Sequence, residues 1–378
     1  MSRVGSVVRH LALATIPVLL LLLLLEALVR LTDADQSCPN RFSASDASLW
    51  VCDPVLHFKS NPSVQPENDP LNSLGFRGPE LRPPRPGLKR VVALGDSCTF
   101  GVIGREEGMG TTMQAYPLKL QRYVERRAGE GVVSVLNAGT PGYNSHHGIL
   151  LLRSKLRGLD PDLVTVRYGW NDHFLSAAGE SSLYREPSSR LGLFAQNLAM
   201  RTRLYGFLRR LGLELAALRR PVKQQAKAAF RQQKEWRPTI PPEQYAANLR
   251  RIVALGREQG AEVWLLTSPR NHHVEESERR LLGFRNKIDF DELMEVHDAY
   301  NDITRRVGLE TGAPVIDMDK IYQRYQGTPV FLPSDAVHPA QGGQNLEAEM
   351  LYRALVRRGW VTPRAGSATP SRGGPTNP

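Results

Sequence analysis

Val91-Val92-Ala93-Leu94-Gly95-Asp96-Ser97-Cys98-Thr99-Phe100-Gly101 is the stretch on which the reading of this chain turns. Four apolar residues closed by Gly read as a buried strand, and a Ser on the following turn can present its hydroxyl at the strand's carboxyl end. Open α/β sheets gather their chemistry at that edge. Alone, Gly-Asp-Ser is equally an ordinary turn and helix N-cap.

Three later segments change its weight. A second apolar run, Val132 to Leu136, leads into Asn137-Ala138-Gly139-Thr140-Pro141-Gly142-Tyr143-Asn144, and a third, Asp162 to Val166, leads into Gly169-Trp170-Asn171-Asp172. Near the end stands Asp335-Ala336-Val337-His338-Pro339, followed by Gly342 and Gly343. Each run delivers one polar group to one edge of a sheet.

In this order the four blocks resemble the SGNH superfamily of GDSL esterases and lipases, named for the Ser, Gly, Asn and His that its blocks contribute. The resemblance covers Leu94 to about Gly343, and Asn72-Ser73-Leu74-Gly75-Phe76-Arg77-Gly78 is similar to the lead-in of membrane-anchored bacterial members. Cys98 and Thr99 depart from the Leu of the GDSL name, at a position the family tolerates. The resemblance implies a three-layer α/β/α fold with a flavodoxin-like parallel sheet. It also implies a serine ester hydrolase working through an acyl-enzyme, with Ser97, Asp335 and His338 as catalytic residues. The backbone N–H groups of Ser97 and Gly142 and the side-chain amide of Asn171 would form the oxyanion hole.

The chemistry of these residue types agrees. A serine hydroxyl needs a base to take its proton, and Asp335, one turn before His338, can fix the imidazole tautomer and stabilise its cation. Gly142 lets backbone approach a reacting carbon, and Asn171 offers donors without a charge. Asp96 is expected to hold the Ser97 turn, and Cys98 to be a small buried residue rather than a second nucleophile. His146 and His147 are candidates to line the site. They make no metal pair, and neither they nor His173, His272 and His273 show zinc spacing, so neither metal nor cofactor is expected.

Outside the blocks, Leu11 to Leu31 is apolar except for Thr15, Glu26 and Arg30 and is long enough to span a membrane. It reads as an uncleaved anchor, with a signal peptide as the competing view because Arg3 and Arg9 form a basic n-region. Arg30 and Arg41 balance those charges, and the short leading tail favours export of the large domain. Residues 1–10 are then a tail, 11–31 the anchor, 32–89 an irregular juxtamembrane lead-in and 90–361 the hydrolase domain. Residues 176–242 form a helical, basic insertion expected to cap the site, and 362–378 a tail expected to be disordered. Helices are predicted at Tyr116 to Ala128, Ser145 to Gly158, Glu243 to Gln259 and Asp291 to Thr311. Further strands are predicted at Ala261 to Thr267 and Pro314 to Asp317.

The formal charge of +11, from 49 basic and 38 acidic residues, is concentrated between Arg201 and Arg237 and reads as a solvated or membrane-facing helical face. No nucleic-acid fold signature accompanies it, so no nucleic-acid partner is expected. Of three cysteines, Cys38 and Cys52 lie close enough in sequence for either a disulfide or two thiols. The expected substrate is an acyl ester, acetyl among them, on an envelope glycan or lipid outside the cytoplasmic membrane. The alternatives are acyl transfer to a glycan by the same triad, and a non-catalytic glycan-binding descendant.

Overall fold

A computed structural model describes residues 3–32, 50–53, 55–61, 70–102, 115–175, 190–199, 202–218 and 236–364. They fall into two units, one of 1–61 with 185–231, the other of 62–184 with 232–378. Cys38, about half of the insertion and the tail from 365 lie outside the described residues, and with them the Cys38–Cys52 pairing and the disorder expected of the tail.

The larger unit is built on a five-stranded sheet of β3 (Lys89–Gly95), β4 (Val133–Gly139), β5 (Leu163–Arg167), β6 (Glu262–Leu266) and β7 (Val315–Ile316). The order is β4-β3-β5-β6-β7 with every pairing parallel, the flavodoxin-like order expected. Parallel strands need crossover helices, which cover both faces of the sheet and make the strands continuously apolar. Val91, Val92, Ala93 and Leu94 are accordingly all buried.

Alternation divides the core. Val91, Ala93, Val133 and Val135 meet α3 (Tyr116–Ala128) and α12 (Gln341–Arg357) through Tyr116, Leu120, Val124, Leu351 and Leu355. The other face carries Val164 and Val263, over which Gly256 of α8 (Pro242–Glu258) lies so close that a Cβ there would meet Val263 at 2.5 Å. Helix α8 packs in turn on α4 (Ser145–Arg153) and α10 (Phe290–Thr311). The boundaries of α3 are those predicted. Helix α4 stops at Arg153, short of the expected Gly158, where the Ser154 hydroxyl bonds back to Leu150 O (2.6 Å). Helix α9 (Glu276–Asn286) was not predicted, because its sequence is mostly polar and carries no clear apolar period.

The smaller unit contains α1 (Arg3–Thr32), α6 (Arg190–Ala199), α7 (Arg203–Leu218) and a hairpin of β1 (Trp50–Asp53) and β2 (His57–Ser60). The hairpin corrects the irregular reading of the lead-in. Its turn is held by the Asp53 carboxylate, which accepts from Val55 N (3.0 Å) and Leu56 N (2.9 Å). Within α1, the 20 residues Leu13–Thr32, apolar but for Thr15, Glu26, Arg30 and Thr32, are long and apolar enough on average to cross a membrane.

Candidate active site

Register places the site. Gly95 lies opposite Gly139 on one side and Arg167 on the other, so β3, β4 and β5 end level and their following turns share one edge. After Gly95 the chain enters α2 (Ser97–Phe100), a single turn capped by Asp96, whose Oδ1 accepts from Cys98 N (2.9 Å). A Cβ at Gly95 would overlap the Thr99 hydroxyl, so only glycine lets α2 fold back over the strand end.

Ser97 meets His338 there, with Oγ 2.9 Å from Nε2. The other ring nitrogen, Nδ1, lies 2.8 Å from Asp335 Oδ2. A carboxylate only accepts, so Nδ1 carries the proton, Nε2 presents its lone pair and the Ser97 hydroxyl donates to it. Asp335 is itself fixed, its Oδ1 accepting from Val337 N (2.7 Å) and His338 N (2.8 Å). Burial pushes this carboxyl up, but the hydrogen bonds and charge of His338 and the two backbone donors outweigh it and hold it below the usual range.

The second block forms a tight turn, closed by Tyr143 N donating to Thr140 O (3.1 Å). Pro141 and Gly142 occupy its centre, Gly142 at φ +84, the conformation a type II turn requires of its third residue. The third block forms α5 (Trp170–His173), where one Asn171 amide N–H donates to Tyr143 O (2.9 Å). The amide has a second donor beyond that bond. Blocks two and three are further locked by Asp172, which accepts from Ser145 Oγ (2.5 Å), Ser145 N (3.0 Å) and Gly169 N (3.1 Å). Burial raises the Asp172 carboxyl to about 7, the Ser145 and Gly169 bonds offsetting only part of that effect and the charge of Asp96 adding to it.

The structure therefore brings Ser97, His338 and Asp335 into direct contact and sets Gly142 and Asn171 on the same sheet edge. Cys98 is a buried free thiol, pushed well up by burial and by the Asp96 charge, as a packing residue rather than a nucleophile would be. His146 and His147 are buried in the first turn of α4, where the His147 ring stacks on Tyr143 at 4.4 Å and its Nδ1 lies 2.8 Å from Asn144 Oδ1. His173 and His297 form a buried pair (Nε2 to Nδ1, 2.8 Å), and burial takes the His173 pKa down to about 3. Among the described residues no group of three or more His, Cys, Asp or Glu could hold a metal ion.

Three supporting residues escaped the sequence reading. Gln344, fully buried, accepts from Tyr116 N (2.7 Å) and donates to Cys98 O (3.1 Å), pinning α2 from below. Arg77 of the lead-in motif is buried and donates to Phe100 O (2.7 Å) at the other end of that turn. Asn271 donates to Asp335 O (3.2 Å) and holds the His338 loop. Arg77 alone had a signal, as a charge inside a Gly-rich motif.

The model of the GDSL-like lipase/acylhydrolase family matches residues 93–346, from β3 into α12. No curated protein matches the chain. Solved structures similar to it include a lipase/acylhydrolase from Enterococcus faecalis, 20% identical over 74% of this chain and 100% of that one, with a TM-score of 0.44. An acetylxylan esterase from Geobacillus stearothermophilus is 15% identical over 73% of this chain and 97% of its own, with a TM-score of 0.39. An α/β hydrolase from the metagenome of Lake Arreo, Spain, is 20% identical over 72% and 96%, with a TM-score of 0.41.

Proposed function

This chain belongs to the GDSL-like lipase/acylhydrolase family, and from that premise we propose that it is a membrane-anchored carboxylic ester hydrolase using Ser97 as nucleophile through an acyl-enzyme. The observation that carries the reading is the unbroken relay from Ser97 Oγ to His338 Nε2 and from His338 Nδ1 to Asp335.

As the Ser97 oxygen attacks an ester carbonyl carbon, His338 Nε2 takes its proton and Asp335 stabilises the imidazolium that results. The carbonyl oxygen becomes an oxyanion, met by the N–H groups of Ser97 and Gly142 and by the Asn171 amide, donors worth a few kcal/mol each. The carbon–oxygen bond to the alcohol breaks, and His338 returns the proton to that alcohol. Water then enters, loses a proton to His338 and releases the acid from Ser97 by the same steps reversed.

The substrate we infer is an acyl ester, an acetyl ester first among them, on an envelope glycan or lipid. Its support is positional: Leu13–Thr32 would tether the enzyme to the cytoplasmic membrane, with the large unit exported to the outer side. The test is labelling with a fluorophosphonate, which forms a covalent bond to an activated serine, followed by turnover of p-nitrophenyl esters of increasing chain length. The wild type should label and hydrolyse acetate best, and Ser97→Ala should do neither while unfolding at the same denaturant concentration. Labelling or full turnover in that variant would remove Ser97 from the mechanism.

A further inference from the structure

The smaller unit carries an arrangement that hydrolysis does not use. Glu26, inside the apolar helix α1, turns its carboxylate onto the first turn of α7, accepting from Leu204 N (2.7 Å) and Arg203 N (3.1 Å). The leading N–H groups of a helix have no partner of their own, and here a side chain from another helix supplies it. Arg30, one turn along α1, pairs with the same carboxylate (2.7 Å). Val29 and Leu204 are buried beside this junction. Thr202 ties α6 to α7, donating to Ala199 O (2.8 Å) and accepting from Tyr205 N (3.2 Å).

Both helices leave apolar side chains in the open. Helix α6 exposes Leu191, Phe194 and Leu198, and α7 exposes Leu208, Leu211 and Leu215. Each trio follows the spacing i, i+3, i+7, which puts it on one face of its helix. Such stripes call for a cover.

We propose that the cover is the phospholipid leaflet through which α1 leaves the membrane, and that α6 and α7 form a second, in-plane membrane contact beside the anchor. The proposal rests on the anchor reading of α1, and its depth follows from the helix geometry. Glu26 lies six residues before the end of α1 at Thr32, a rise of about 9 Å. Helix α7 therefore starts within the roughly 5–10 Å over which interfacial helices bury their apolar faces. The sequence adds charge of the fitting sign, since Arg201, Arg203, Arg209, Arg210, Arg219 and Arg220 all fall within or beside α7. Cations in a segment beside a membrane surface attract anionic headgroups. The Glu26 contact also gives α1 a structural partner in the folded chain, which a segment destined for removal would not need.

The experiment places one added tryptophan at a time in the full chain, reconstituted into vesicles of phosphatidylethanolamine and phosphatidylglycerol with or without acyl chains brominated close to the headgroup. Added emission in Leu211→Trp and Phe194→Trp should fall about twofold in brominated vesicles, as expected for rings at interfacial depth. Leu19→Trp, mid-helix in α1, is read with lipids brominated near the chain end and reports the anchor separately. Quenching of Leu19→Trp with none in the other two would overturn the proposal and leave the anchor standing, the stripes then being covered by another copy or another protein. Absence of quenching in all three would remove the anchor as well.

Discussion

Replacing Gln344 with Leu removes two hydrogen bonds at nearly constant volume and isolates their effect on the nucleophile turn. The side chain is fully buried and bridges Tyr116 N and Cys98 O, two backbone groups that water cannot reach. A buried polar group left unpaired costs roughly 1–3 kcal/mol, so the pair should cost about 2–6 kcal/mol. With a urea slope of about 3 kcal/mol/M, the unfolding midpoint should fall by about 1–2 M, read by tryptophan fluorescence. Because Cys98 O anchors the residue after Ser97, kcat on p-nitrophenyl acetate should drop on the order of 10-fold to 100-fold with KM little changed, a positioning loss. Gln344→Glu supplies an internal control. Its protonated carboxyl can make both bonds and its carboxylate only one, so its stability relative to wild type should improve on acidification. A midpoint within experimental error of wild type together with unchanged kcat would show that Gln344 supports neither the fold nor α2.

Three further outcomes are expected. His338→Ala should lower turnover nearly as far as Ser97→Ala, and the double variant should be little worse than either, since the two act as one proton-transfer unit; losses that multiply would separate them. Asn171→Ala should lower kcat by roughly 100-fold to 1000-fold with KM almost unchanged, whereas a large KM effect with kcat preserved would make Asn171 a substrate-binding residue. Asp335 and Asp172 should bend the stability–pH curve in opposite senses. Asp335 is held low, so its contribution is present above its unfolded pKa and is lost as pH falls through the folded value; Asp172 is held up near 7, so stability falls as pH rises from about 4 to about 7. Urea midpoints of wild type and Asp172→Asn at about pH 5 and about pH 8 check this: wild type should lose more on alkalisation than the variant, and parallel curves would show that Asp172 does not titrate in that window.

What the sequence made legible is what a strand or a single turn encodes locally. A strand covered on both faces must be apolar throughout, so β3 and β5 stood out as runs within a residue or two of their observed ends, and β4 runs three residues past its apolar run, through Asn137 to Gly139. The edge strand β7 has only two residues, because its next residue, Asp317, already caps the following helix. The hairpin β1–β2 was hidden by the Pro, Asn and Ser around it, although Asp53 is the ordinary residue for its turn.

The same divide runs through the site. Asp335 and His338 are three residues apart, and Asp96 caps the turn it precedes, so their pairing follows from local geometry. Gln344 reaches Cys98 across 246 residues and Arg77 reaches Phe100 across 23, bonds that no spacing announces because they exist only once the sheet has closed. Nor does composition announce them, since Gln and Arg are ordinarily surface residues. Their burial is nonetheless what the chemistry requires. Ser97 sits on a four-residue helix too short to be stable alone, so its position must be imposed from outside. Asp96 imposes it at the start, Gln344 at the middle and Arg77 at the end, leaving the Ser97 hydroxyl to face His338.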